Sequence, residues 1–371
     1  MKIAHVQLLP LMTGVQKVSI DELVRLDNDK YKKFVICKEE GKLTEICEKN
    51  NIGVAFAPSL IREIHPISDL KSFFELYKVF KKEKFDIVHT HSAKTGLLGK
   101  LAAKAAGVPL IVHTVHGYPF PAAKSKFSKA LYFLLEYLGA KLCDITICLH
   151  DDDANIAINK LKTSRSKVRV IPNGVDTEQY KPVEAVNKAK TDIKSIGMVG
   201  RLWEQKDPVT LVKAAILLAQ ERKDFVVNIV GGGELQSQLE ELISNAQAQE
   251  QIKLLGWRSD VAELLPHFDI FVLPSRWEGM PLAILEAQSC QVPCVVTNIQ
   301  GNNYLVNDDY DGKLFEVEDA EGLKKVLAEL LDNPEQLKRL GKNARAKIEA
   351  DYDIRNRVNI IEALYTEQLR K

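Results

Sequence analysis

The chain is poor in the features that mark several classes of protein. No stretch is apolar enough for long enough to cross a bilayer, which argues against an integral helical membrane protein. Residues 1–14, MKIAHVQLLPLMTG, hold only a brief apolar run, broken by His5 and Gln7. No small-residue cleavage site follows, so they read as a strand rather than an export signal. The six cysteines (Cys37, Cys47, Cys143, Cys148, Cys290 and Cys294) form no Cys-x-x-Cys and no Cys/His spacing of a zinc site. They read as reduced, buried thiols of a cytosolic chain. A net charge of +1 supplies no global field for nucleic acid. The turn GMVG at 197–200 is not G-x-G-x-x-G, so a dinucleotide fingerprint is absent.

What is present is length and alternation. A chain of 371 residues favours two domains over one. Short β-branched runs at 2–8, 33–37, 54–57, 85–89, 110–115, 145–149, 168–171, 195–199, 225–230, 252–255, 269–273 and 293–297 alternate with helix-like segments. That pattern predicts an α/β protein of parallel sheets covered by helices. An apolar stripe at 70–80 (Leu70, Phe73, Phe74, Tyr77, Phe80) has helical spacing and reads as core. Residues 177–191 are polar, lysine-rich and without apolar period, which places the interdomain linker there.

The densest signal is LPSRWEGMPLAILEA at 273–287. A doubly buried strand, DIFVL, runs into a Pro-Ser stop. A helix follows, with Pro281 suited to its first turn. Glu278 and Glu286 lie eight residues apart, about 12 Å if wholly helical. That is too far to share one proton but suits gripping two hydroxyl-bearing parts of an extended ligand. Between them the N–H groups of Gly279, Met280 and Leu282 sit at a helix N-terminus, a natural anion site. Hydroxyls, an anion, then hydroxyls describe a sugar, a diphosphate and a ribose. Taken singly, Glu278 reads as an acid near a helix start and Glu286 as an exposed helix residue. A second cluster agrees with the ligand reading: in GRLWEQKDP, Arg201 and Lys206 stand beyond a strand end beside Gly200, and two cations there suit a diphosphate. His89 and His91 alternate as strand residues do, but no carboxylate or third histidine follows at a matching spacing. A metal pair is therefore set aside.

The E-x7-E spacing with EGMPLAILEA resembles the donor-site signature of retaining glycosyltransferases of the GT-B fold, family 4 most of all. The H-T-H-S-A-K string at 89–94, N-G-V-D at 173–176 and G-R-L at 200–202 extend the likeness over nearly the whole chain. The resemblance implies two Rossmann-like domains with a cleft between them: an acceptor domain at 1–176, a linker at 177–192, a nucleotide-sugar domain at 193–352, and a last helix at 353–371 crossing back to the first domain. It implies a nucleotide-sugar donor, a UDP-sugar foremost, a glycan or lipid-linked acceptor, and a place in cell-surface polysaccharide synthesis. Neither a cofactor nor a metal is expected. Catalytic roles fall on His116 beside the transferred sugar, Arg201 and Lys206 on the diphosphate, and Glu278 on the sugar hydroxyls. Donor contacts fall on Gly14, Gly200, Gly232, Gly279, Met280, Pro281 and Leu282, with Trp257 and Arg258 near the base and Glu286 on the ribose. Residues 120–141 mix lysines with aromatics and suit an anionic membrane surface or, equally, an ordinary amphipathic helix. A cytoplasmic protein, peripheral on the inner face of the membrane, follows. The rivals are a GT-B nucleotide-sugar epimerase, a phosphorylase, and a non-catalytic sugar-nucleotide- or sugar-binding protein.

Overall fold

The computed structural model describes residues 1–120, 123, 125–183 and 193–370. Thirteen strands form two fully parallel sheets among these residues. The first contains β1 (Lys2–Val6), β2 (Lys32–Cys37), β3 (Gly53–Phe56), β4 (Ile87–Thr90), β5 (Leu110–Val115), β6 (Ile145–Cys148) and β7 (Val168–Val170), in the order β3-β2-β1-β4-β5-β6-β7. The second contains β8 (Lys194–Val199), β9 (Phe225–Val230), β10 (Ile252–Gly256), β11 (Ile270–Leu273), β12 (Cys294–Thr297) and β13 (Gly312–Phe315), in the order β10-β9-β8-β11-β12-β13. Each sheet reverses its winding beside its first strand, between β1 and β4 and between β8 and β11. In doubly wound sheets ligands bind at such switch points, beyond the carboxyl ends of the strands.

The central strands of both sheets are short and mostly buried on both faces. All of Ile270, Phe271, Val272 and Leu273 are wholly buried, as β-branched and apolar runs in parallel sheets require. Burying a side chain of this size stabilises by about 1.5–3 kcal/mol. All six cysteines are buried and unpaired, and burial pushes the Cys37 thiol up to about 11. The stripe of the helix Pro66–Glu83 is only partly core. Phe80 is buried, but Leu70 and Phe74 are exposed, because the buried face of the helix runs through Ser72, Leu76 and Phe80.

The chain divides into two compact units, 1–173 with 354–371, and 174–353. The last helix, Ile354–Leu369, completes the core of the first: Ile361 and Tyr365 are wholly buried there among Ile3, Leu23, Val35 and Ile87. Residues 174–180 belong to the second unit, although 174–176 were expected in the first domain and 177–180 in the linker. Val175 N donates to Tyr352 O at 2.9 Å, and Thr177 Oγ1 donates to Asp353 Oδ2 at 2.5 Å. Arg345 Nη1 reaches the Tyr180 carbonyl at 3.0 Å. Polarity here serves hydrogen bonds to an anchored strand-like segment. Residues 184–192 of the expected linker lie outside the described residues, as does Lys124.

Candidate active site

In the second unit, the loops following β8, β9, β10 and β11 all emerge at the carboxyl edge of the sheet. The loops after β8 and β11 flank the switch point, and they are stitched together. Arg276 N donates to Gln205 O at 2.8 Å, and Gln205 Nε2 donates to Trp277 O at 2.9 Å. Their side chains meet at Glu278. Glu278 Oε1 accepts from Lys206 Nζ at 2.5 Å and from Ser275 Oγ at 2.7 Å, and Gln205 Nε2 donates to Oε2 at 3.3 Å. The Glu278 side chain is 6% exposed and that of Lys206 is 19% exposed. This places a carboxylate and an ammonium side by side across the switch point, where neither E-x7-E spacing nor the Arg201–Lys206 pattern had joined them. Ser275 and Gln205 were not singled out in the sequence. Their only signal there is position, three residues before Glu278 and one before Lys206.

The helix after this loop runs Leu282–Ser289. Pro281 is its cap residue, with an extended ψ of 121°, rather than a member of the first turn. Gly279 and Met280 therefore form the approach to the helix, and the N–H of Leu282 opens it. Gly301 faces this loop with φ of 91°, and a Cβ there would lie 2.3 Å from the Gly279 carbonyl oxygen, so only glycine fits. Glu286 is 7% exposed, which removes the reading of an ordinary surface helix residue.

The three-glycine turn after β9 is packed as tightly. Gly231 has φ of 136°, and a Cβ on it would lie 1.9 Å from the Gly200 carbonyl oxygen. A Cβ on Gly232 would strike the Trp257 indole Nε1 at 2.6 Å. The turn thus lets the backbones after β8, β9 and β10 close on one another, and leaves the Trp257 ring 74% exposed at that edge. Arg258 forks onto Asp260 at 2.8 and 2.5 Å. Arg201 donates to Glu234 at 2.8 Å and lies over the Trp203 ring at 5.1 Å. Both arginines keep their guanidinium groups in solvent.

In the first unit, Gly14 opens the helix Gly14–Arg25 after β1, and a Cβ on it would meet no protein atom within 4 Å. His116 follows β5 and is half-buried. Beneath it lies a cluster that spacing could not disclose. Parallel pairing sets His5 of β1 opposite His89 of β4, and the helix Gly14–Arg25 adds Glu22. One ligating atom each from His5, Glu22, His89 and His91 falls within 4.8 Å of the others. The ground for setting aside a metal pair, the lack of a third histidine and a carboxylate, therefore fails in the fold. What opposes a cation there is Arg357, whose Nε and Nη2 hold Glu22 Oε1 at 2.8 and 2.6 Å. The imidazoles are engaged as well. His89 Nδ1 meets Tyr365 Oη at 2.6 Å and its Nε2 meets Thr114 Oγ1 at 2.7 Å. His5 Nδ1 meets Ser19 Oγ and His91 Nε2, both at 2.9 Å, and His91 Nδ1 meets His116 Nε2 at 3.2 Å. Burial holds the pKa of His5 down to about 3, with Arg357 adding to the effect. The same causes hold His116 to about 3, and burial pushes His91 and His89 well below 6.5. All are neutral imidazoles at neutral pH.

Comparison with known proteins agrees with this architecture. The family model described as Glycosyltransferase Family 4 matches residues 12–179, and that described as Glycosyl transferases group 1 matches residues 181–347. The chain is 45% identical over 380 aligned positions to the UDP-Gal:α-D-GlcNAc-diphosphoundecaprenol α-1,3-galactosyltransferase of Escherichia coli, covering 99% of this chain and 97% of that one. It is 30% identical to the N,N'-diacetylbacillosaminyl-diphospho-undecaprenol α-1,3-N-acetylgalactosaminyltransferase of Campylobacter jejuni, over 76% of this chain and 77% of that one. The crystal structure of Anabaena HepE in complex with UDP and glucose superposes with a TM-score of 0.85 at 19% identity, covering 99% of this chain and all of that one. Two parallel Rossmann-like units wound in the same order, a carboxylate and an ammonium paired at the second switch point, and a near full-length relative place the chain among the GT-B glycosyltransferases of family 4.

Proposed function

We propose that this protein transfers galactose from UDP-galactose to a lipid-diphosphate-linked amino sugar during assembly of a cell-surface polysaccharide, with retention of the anomeric configuration and without a metal. The observation that carries the reading is the 45% identity to a galactosyltransferase of that type, sustained over 99% of the chain.

The bond from the sugar to the diphosphate breaks, and the departing phosphate oxygen takes the proton of the acceptor hydroxyl as the new bond forms on the same face. Negative charge grows on the diphosphate. Lys206, Arg201 and the N-terminus of the helix Leu282–Ser289 answer it electrostatically. Their positive charge does the work a divalent ion does elsewhere. Glu278 takes the sugar hydroxyls, with Lys206 beside it, and Glu286 the ribose. The open indole of Trp257, with Arg258 next to it, offers a face to the uracil. Gly14 and Gly200 leave room for phosphates, and Gly232 seats the indole. His116 contacts the transferred sugar.

A lipid-linked acceptor brings the chain to a membrane surface, and the helix Lys126–Ala140 supports that contact. Phe120, Tyr132, Phe133 and Tyr137 pack inward, but Phe127, Leu134 and Leu138 are 77%, 51% and 48% exposed beside Lys126 and Lys129.

The test is a transfer assay with labelled UDP-galactose and a synthetic GlcNAc-diphospho-lipid, run with and without EDTA. The product linkage is read by the anomeric proton coupling. An α-linked product formed equally in EDTA is expected. No transfer to this acceptor sinks the substrate assignment, a β-linked product sinks retention, and loss of activity in EDTA sinks metal independence.

A further inference from the structure

Four side chains form one hydrogen-bonded string through the first unit: Ser19 Oγ, His5 Nδ1, His91 Nε2 with His91 Nδ1, and His116 Nε2, at successive separations of 2.9, 2.9 and 3.2 Å. It runs from the helix Gly14–Arg25, through β1 and the end of β4, to the residue that follows β5. His5, His91 and Ser19 are wholly buried, and the three imidazoles are neutral for the reasons given above. A neutral imidazole carries one N–H and one lone pair, on different nitrogens. Once one ring has chosen, its neighbour must choose to match, so only two arrangements of the string exist.

In the first arrangement His91 Nε2–H donates to His5 Nδ1. His5 then carries its proton on Nε2, and His116 donates Nε2–H to His91 Nδ1. In the second, His5 Nδ1–H donates toward His91 Nε2 and Ser19 Oγ. His91 then donates Nδ1–H to His116 Nε2, and His116 keeps its proton on Nδ1. His5 Nε2 decides between them. It is buried and has no hydrogen-bond partner among the described residues. The first arrangement would strand an N–H donor there, and the second leaves only a lone pair. Orphaned buried N–H groups are the rarer and costlier case.

We propose that His91 and His5 are positioning residues that lock His116 in its Nδ1–H tautomer, so that His116 presents a neutral hydrogen-bond donor to the transferred sugar. The second half of this statement rests on the role given to His116 above, and the first half does not. Free histidine prefers the Nε2–H form in water, so the string holds His116 in the form it would otherwise disfavour. The donor so presented meets a hydroxyl oxygen of the sugar, and its Nε2 is occupied by His91. A neutral group of this kind orients the sugar and gives up no proton.

The protonation of each imidazole nitrogen is read directly by long-range proton–nitrogen correlation on the full-length chain labelled with 15N-histidine, with His116→Asn assigning the signal. In the unmodified chain His116 is expected as the Nδ1–H tautomer, unchanged from pH 5 to 8. Finding it as Nε2–H, as an even mixture, or titrating in that range overturns the proposal whatever the His91 variants show. His91→Leu should move His116 toward Nε2–H and lower kcat at least about tenfold, with KM nearly unchanged. His91→Gln, whose amide N–H can still donate to His116 Nε2, should recover most of that loss. Equal losses in the two variants mean that His91 only fills space, and overturn the positioning role. Because the tautomer is read without donor or acceptor, absence of transfer in the assay above would sink the proposed function while leaving the string to stand or fall on its own spectrum.

Discussion

Glu278 is the side chain on which the loops of the second unit converge, and its surroundings predict how its loss would read. Its carboxylate takes hydrogen bonds from Ser275, Gln205 and Lys206, and the Lys206 ammonium is mostly shielded from water. Glu278→Gln keeps an acceptor but strips Lys206 of its counter-charge. We expect a stability loss of about 1–3 kcal/mol in thermal melts and a fall in transfer rate of about 10²–10³-fold. A rate equal to that of the parent would remove Glu278 from the site. The buried histidines predict a pH dependence. His5, His89, His91, His113 and His116 all have folded pKa values below 6.5, with His5 and His116 near 3. Between those limits the unfolded chain binds protons that the folded chain does not. Stability is thus fully present above about pH 6.5 and is lost as pH falls toward 3, by up to about 1.4 kcal/mol per pH unit for each group. Asp153 acts in the opposite sense, because burial raises it to about 7, and its contribution is lost as pH rises toward 7. Burial raises Glu22 and Glu136 too, but it also lowers His150, and the six histidines outnumber the three carboxyls. Urea melts from pH 7.5 to 4.5 should show stability falling steeply on acidification; a flat profile would mean that the cluster is hydrated.

Among the elements, the helix Lys126–Ala140 is divided by the sheet it covers. Its inward aromatics serve the core, and its outward Phe127, Leu134 and Leu138 are exposed. Changing all three to Glu leaves the buried face intact and sets negative charge on the exposed one. Sedimentation with anionic vesicles should fall several-fold, with the melting temperature within a few degrees of the parent. Unchanged vesicle binding would assign the contact to another face. The helix Pro66–Glu83 exposes Ile67, Leu70 and Phe74, and is the first alternative to examine by the same substitution.

Over the whole molecule, the second unit is one continuous segment, 174–353, and the first is closed only by the chain's end. The helix Ile354–Leu369 brings Ile354, Val358, Ile361, Leu364 and Tyr365 into the first unit's core. Its Arg357 neutralises the buried Glu22 and also donates to the carbonyls of Ile171 and Pro172 at 2.7 and 2.5 Å. Truncation after residue 353 exposes that core and leaves Glu22 buried without its partner, a loss of about 3–5 kcal/mol for the charge alone. A segment of 174–353 should fold alone and melt cooperatively by circular dichroism, and a segment of 1–173 should not. A cooperative melt from 1–173 would show that the last helix is dispensable to the fold.

Length and periodicity together were enough to determine the two-domain α/β class, nearly every strand, and the loop that carries Glu278. Parallel strands buried on both faces leave an unbroken apolar signature, and tight strand-to-helix turns leave Gly and Pro. The place of 177–180 in the second unit was hidden, because a polar segment anchored by hydrogen bonds has the composition of a free linker. The split of the 70–80 stripe was hidden as well, since helical spacing shows which residues share a face but not which face the neighbouring elements cover; here it is the one through Ser72, Leu76 and Phe80. Only the tertiary structure decided that Lys206 meets Glu278, seventy-two residues away, and that His5, His91 and His116 join in one string. Those contacts follow from strand order and register across a sheet, and pairing between distant strands leaves no trace in local spacing.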